Sequence, residues 1–176
     1  MAVIGVECNA DRYFFAKLLG NKGLIRKEKN ESEVIKGIVQ RSKDSFRIGI
    51  IDEDKNKRIP ADFKEIYKDA NSRCFKREEK FQFLFLIGPR QFEHWINSFL
   101  IKRNKDVSAF EFESFEEFMQ KSKSVTPEND SRFAELIDYV LEEHASFDNH
   151  VLKVKLQIEY LLEKKFEFEI KEFVKI

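Results

Sequence analysis

A chain of 176 residues that is 42% hydrophobic is long enough to bury a core of its own, and its size suits one domain or a domain with an appended subdomain. Lys plus Arg and Asp plus Glu both count 32, so the basic excess of a general nucleic-acid binder is absent and any such contact is local, with Arg73, Lys76, Arg77, Lys80 and Lys102, Arg103, Lys105 as the basic runs. No apolar run approaches the roughly 18 residues of a membrane span, and Cys8 and Cys74 form neither a CxxC pair nor a disulfide framework, which predicts reduced thiols in a cytoplasmic protein.

Residues 2 to 8, AVIGVEC, read as a strand covered on both faces, and Asn9 or Asp11 caps the helix that runs through Tyr13, Phe14 and Leu18 to a stop at Gly20. Leu24 and Ile25 begin a short second strand. Ser32 and Glu33 open a helix carrying Val34, Ile35, Ile38 and Val39, ending near Ser45. FRIGII at 46 to 51 is a strand that stops at Asp52-Glu53-Asp54. Pro60 opens a predicted helix through Phe63, Ile66 and Tyr67, and FQFLFLI at 81 to 87 is a buried strand closed by Gly88-Pro89. A helix follows with Phe92, Trp95, Ile96, Phe99 and Leu100. This alternation predicts an α/β domain over residues 1 to 103, with a parallel, Rossmann-like sheet flanked by helices.

Beyond Lys105 the spacing is helical: Phe115, Phe118 and Met119, then Phe133, Leu136, Ile137, Val140 and Leu141, then Val151, Val154, Ile158 and Leu161. Residues 104 to 176 are therefore expected to form a mainly helical C-terminal subdomain. The last stretch, FEFEIKEFVKI, fits a strand at Phe166, Phe168 and Ile170 and a helix at Ile170, Phe173 and Val174. The 19 Phe residues predict an aromatic core.

Ligands of open parallel sheets bind outside the carboxyl ends of the strands. Glu7 closes the first strand here and Asp52 and Asp54 close a later one, which brings three carboxylates to one edge if those strands are neighbours. Residues two apart on an extended segment point the same way, so Asp52 and Asp54 share a target while Glu53 points elsewhere. Such a cluster calls for a cation, and Mg²⁺, or Mn²⁺ in its place, suits oxygen ligands. The bland alternative is that Asp and Glu at strand ends serve as turn and cap residues.

VIGVECNAD with Glu7 and IGIIDED with Asp52 and Asp54 resemble the two motifs of the Toprim domain, shared by topoisomerases, bacterial primases, OLD-family nucleases and small stand-alone proteins. The likeness covers residues 2 to about 100. It implies that Glu7 acts as general acid/base and that Asp52 and Asp54, with Glu7, hold Mg²⁺ for chemistry on DNA or RNA phosphodiesters. Asp11 matches the acidic position that follows the family's Glu. Cys8 stands where the family usually has Gly, which puts a tight backbone approach in question. Glu93 in LIGPRQFEHWI is a candidate further acid, although an exposed position on its helix is the preferred reading. Arg90, Lys55, Lys57 and Arg58 are candidate phosphate contacts.

His94, His144 and His150 show no zinc spacing, and GxGxxG, GxxxxGK[ST] and GxSxG are all missing. Two other readings stay open. A receiver-like domain would be phosphorylated at Asp52, but the single Glu7 and the lack of a strand-end lysine at Gly88-Pro89 count against it. A non-catalytic module would bind a protein partner through its Phe-rich C-terminal helices.

Overall fold

The computed structural model describes residues 3–40, 45–54, 59–143 and 150–176. β1 (Ile4–Val6) leads through α1 (Asn9–Leu18) to β2 (Ile25–Lys27), and α2 (Glu31–Val39) leads to β3 (Arg47–Asp52). A hairpin of β4 (Phe63–Lys68) and β5 (Ser72–Arg77) precedes β6 (Gln82–Ile87) and α3 (Phe92–Ile101). The remainder is helical: α4 (Phe115–Ser122), α5 (Ser131–Glu143), α6 (His150–Lys164) and α7 (Ile170–Phe173). No helix of the described residues is long and apolar enough to cross a membrane.

The six strands form one sheet in the order β2-β1-β3-β6-β5-β4. The first four are parallel, and β5 and β4 add an antiparallel margin. The α/β class with a largely parallel sheet is thus as the sequence predicts, with β1 and β3 direct neighbours in the register Ile4 to Ile48, Gly5 to Gly49 and Val6 to Ile50. Because β2 lies on one side of β1 and β3 on the other, strand order reverses between β1 and β3, the kind of switch point at which α/β sheets open a crevice.

Alternation along the strands divides the core in two. Ile4, Val6, Ile48 and Ile50 face α1 and α3 in a large cluster that continues without a break into the C-terminal helices, while Ile51, Leu84 and Leu86 face Val34 and Ile38 of α2. Most of the phenylalanines are buried, and around Trp95 the rings of Phe14, Phe15, Phe92 and His150 meet largely edge to face. Gly49 lets α2 approach β3, since a Cβ there would lie 2.4 Å from Ile38 Cδ1 and 2.9 Å from Val34 Cγ1. Gly20, past the end of α1, has φ 64°, the left-handed conformation expected of a helix stop.

Two expectations need correction. The helix expected after Pro60 is strand β4: its register against β5 shifts between Glu65 and Tyr67, and this bulge breaks the two-residue alternation so that Phe63, Ile66 and Tyr67 imitate helical spacing. Strand β5 was not anticipated at all. Asp69 sets the hairpin turn, its Oδ1 accepting from the amides of Asn71 at 2.7 Å and Ser72 at 2.8 Å. Second, α2 ends at Val39 rather than near Ser45, and its cap is Asn30, which accepts from Glu33 N at 3.0 Å. Residues 41–44 lie outside the described residues. The C-terminal stretch, which fits either a strand or a helix by its spacing, resolves to a 3-10 turn at Lys165–Glu167 followed by α7, with Phe168 and Phe173 packed on Phe83 and Phe85 of the sheet.

Candidate functional site at the carboxyl edge of the sheet

Glu7 follows β1 directly and its Oε1 accepts from the amide of Asp52, at the end of β3, at 3.0 Å. Asp52 Oδ1 in turn accepts from the amide of Phe92, the first residue of α3, at 2.9 Å. The two strand ends and the N-terminus of α3 are thereby tied together through carboxylates, and the positive end of the helix dipole faces them. Asp52 is half-buried and Asp54, two residues on, is exposed beyond the strand, its amide donating to Asp52 O at 3.0 Å.

Glu53 turns the other way, as its alternate position requires. Its amide donates to Ile87 O at 2.7 Å, its backbone pairs with that of Arg90 in an isolated antiparallel bridge, and its carboxylate lies 3.6 Å from Arg73. Gly88 makes room for it: a Cβ at that position would lie 2.4 Å from Glu53 Oε2.

Cys8, not Asn9 or Asp11, caps α1. Its Sγ accepts from Asp11 N at 3.3 Å while Asp11 Oδ2 accepts from Cys8 N at 3.0 Å, a reciprocal capping box with a thiol in the usual serine position. The C-x-x-D spacing was the available signal. Cys8 has φ −129°, extended backbone that any residue adopts, so the position that Gly usually fills in the resembled family makes no demand for it here. Burial and the neighbouring Asp11 carboxylate push the Cys8 thiol well up, which leaves it neutral.

Asp11 is 3% exposed, and its Oδ1 is buried with no hydrogen-bond partner. Burial pushes its pKa up to about 7; the bonds from Cys8 act against that, and the charges of Glu7 and Glu93 add to it. Glu93, read from sequence as an exposed helix position, is 4% exposed. The buried face of α3 is wide, taking in Phe92, Glu93, Trp95 and Ile96, and the first helical turn tolerates a carboxylate because its dipole favours negative charge. Arg90 is exposed, with φ 64°, in the turn between β6 and α3. Together with Lys123 it opposes protonation of His94, whose pKa is lowered chiefly by burial. Lys57, with Lys55 and Arg58, lies outside the described residues.

The donor set is of the kind that suits a hard cation, since Glu7, Asp11, Asp52 and Glu93 offer only oxygen, and Asp11 Oδ1 is an orphaned buried acceptor. As they stand, no three His, Cys, Asp or Glu side chains among the described residues come close enough to hold one ion. Mg²⁺, however, is usually held by one or two carboxylates, with water and substrate phosphate completing the shell. Sequence reasoning did not reach the Phe92 amide, because a backbone donor carries no residue signature.

The basic runs are engaged with their own neighbours. Arg73 pairs with Glu65 and lies over Phe75, Arg77 pairs with Asp62 and Gln82, Arg103 lies 3.6 Å over Phe99, and Lys105 lies over Tyr139. Comparison with protein-family models, curated proteins and solved structures gives no match, so the Toprim likeness stands on the motif residues alone.

Proposed function

We infer that the protein is a Toprim-like, Mg²⁺-dependent enzyme acting on nucleic-acid phosphodiesters by hydrolysis or transfer. The observation that carries this reading is the convergence of Glu7 and Asp52 at the β1/β3 switch point, linked by the Asp52 N to Glu7 Oε1 bond. Glu7, Asp52 and Asp54 are the residues that would hold the ion, which would neutralise charge on the transferring phosphate. Glu7 would take or give a proton at the reacting oxygen. The N-terminus of α3 orients Asp52, and the Arg90 guanidinium at the same edge suits a phosphate oxygen.

The test is cleavage or joining of DNA and RNA with Mg²⁺ or Mn²⁺. Asp52→Asn combined with Asp54→Asn should lower activity by at least about 10²- to 10³-fold, the cost of removing a transition-state charge contact. Unchanged activity in that double variant would sink the assignment.

A second reading is favoured by the exposed apolar side chains Phe166, Ile170 and Val174 near the C-terminal end of the helical half, at 55%, 47% and 45% exposure. In it the sheet is a scaffold and the C-terminal helices dock a protein partner. Calorimetric titration with Mg²⁺ separates the two, because the module needs no millimolar metal binding.

A further inference from the structure

Four parallel strands end at the carboxyl edge in the order β2-β1-β3-β6, and the charges at their ends follow that order. Lys27 ends β2 and Lys29 lies two residues beyond it, Glu7 follows β1, Asp52 ends β3, and Arg90 lies in the turn that leaves β6. Across the edge the charges therefore run cation, acid, acid, cation, although the two cationic segments are far apart in the chain.

A backbone contact ties each flank to the acid-bearing strand beside it. Glu28 N, between the two lysines, donates to Val6 O at 2.9 Å, and the backbone of Arg90 pairs with that of Glu53. Neighbouring strands lie ~4.8 Å apart, so β2 and β6 each stand about 7 Å from the line midway between β1 and β3. The acids of the edge have a cationic flank at similar reach on either side.

Lys27, Lys29 and Arg90 are exposed. Of the acids near them, Glu28 pairs with Arg26 at 3.2 Å, Glu33 with Lys36 at 2.8 Å and Glu53 with Arg73 at 3.6 Å. Lys27, Lys29 and Arg90 themselves form no ion pair with any described residue. Lys55, Asn56, Lys57 and Arg58, which follow Asp54 outside the described residues, include no acid. A duplex presents two phosphate backbones and a single strand presents one, and the single row of cations across this edge matches one backbone. The basic runs at 73 to 80 and 102 to 105, turned onto their own neighbours, supply no second row.

We propose that a single strand of nucleic acid lies across the carboxyl edge, perpendicular to the sheet strands, with the reacting phosphate over Glu7 and Asp52, the phosphates to one side held by Lys27 and Lys29, and the phosphate on the other side held by Arg90. This rests on the acidic edge being the phosphodiester site, and adds to it a substrate class, a direction for the strand and two further contact residues. The Arg90 guanidinium suits two phosphate oxygens at once, whereas the lysines act as point charges.

The test is fluorescence anisotropy of the whole chain with labelled oligothymidylate and oligouridylate and with a duplex of the same length, with Ca²⁺, which takes the same oxygen ligands, in place of Mg²⁺. A single strand should bind more tightly than the duplex. Each phosphate contact on a single strand contributes about −0.7 to the slope of log K against log salt, so Lys27→Ala with Lys29→Ala should flatten the slope by about 1.4 and Arg90→Ala by about 0.7. Lys22→Ala, at the amino end of β2, should leave slope and affinity as they are. The proposal is overturned if no strand binds, if the duplex binds as tightly as the single strand, or if the flank variants keep the natural slope. Cleavage assays with Mg²⁺ on the same variants separate this proposal from the catalytic assignment. A strand bound through both flanks but neither cut nor joined overturns the catalytic assignment alone, and turnover whose KM ignores Lys27, Lys29 and Arg90 overturns the strand path alone.

Discussion

Two buried titratable groups, Asp11 beside the carboxyl edge of the sheet and His150 in the seam between α3 and α6, show how burial alone differs from a site. His150 is 5% exposed, its Nε2 lies 3.0 Å from Trp95 O, and its ring stacks edge to face with Trp95 at 5.0 Å. Burial, with the Lys102 charge behind it, pushes its pKa down to about 4. Asp11 is driven toward neutrality by the same desolvation, but it has company. Glu7 and Glu93 add their charges and its Oδ1 lacks a partner, whereas His150 is an isolated imidazole among aromatic rings with both nitrogens near polar atoms. Converging acids with an unsatisfied oxygen point to chemistry; a satisfied solitary base points to packing.

The largest stability effect should come from the seam. Trp95 is fully buried against Phe14, Phe15, Phe92 and His150, so Trp95→Ala should cost about 3 to 5 kcal/mol in denaturant unfolding. Asp52→Asn, by contrast, should act mainly on the proposed activity. A Trp95 variant of nearly natural stability would break the contrast between the two regions.

The two buried groups then make opposite contributions to the pH dependence of stability. Between pH 6.5 and about 4 an unfolded chain protonates His150 and the folded one does not, so the unfolded state binds more protons and this contribution, about 3 kcal/mol, is lost as pH falls through that window. Asp11 keeps its proton in the folded state up to about 7 but loses it near 3.8 when unfolded, so its contribution grows as pH falls. The natural chain should therefore show a muted acid dependence from these two groups. Asp11→Asn should lose stability more steeply below pH 6.5, and His150→Gln should lose it less steeply or gain it, as followed by urea unfolding at pH 7 and pH 5. Parallel profiles for the two variants would overturn the opposition.

The smallest effect is expected at the α1 cap. Serine accepts the Asp11 amide as well as the Cys8 thiol does, so Cys8→Ser should change stability by less than about 1 kcal/mol in either direction. A larger loss would show that the thiol does more than cap the helix.

Much of the carboxyl edge was legible in the sequence, because an apolar run that stops at Glu7 or at Asp52 marks a strand and its polar end without any tertiary information. Glu53 pointing away from Asp52 followed from strand alternation and is what its carboxylate beside Arg73 and Gly88 shows. The β4–β5 hairpin was misread because a bulge erased the period on which such readings depend. The cations that flank the acidic edge gave no motif, because only the order of the strands brings Lys27, Lys29 and Arg90 beside it.

By itself, then, the sequence determined the α/β class, the positions of the central strands and the acidic residues that end them, since hydrophobic periodicity and chain punctuation are local properties. Only the tertiary structure decided that β1 and β3 are neighbours, that Glu7 accepts from the Asp52 amide, that Glu93 is buried, and that Lys27, Lys29 and Arg90 flank the acidic edge. Strand order and burial depend on how distant segments share one core, and no window of sequence records which of them will meet.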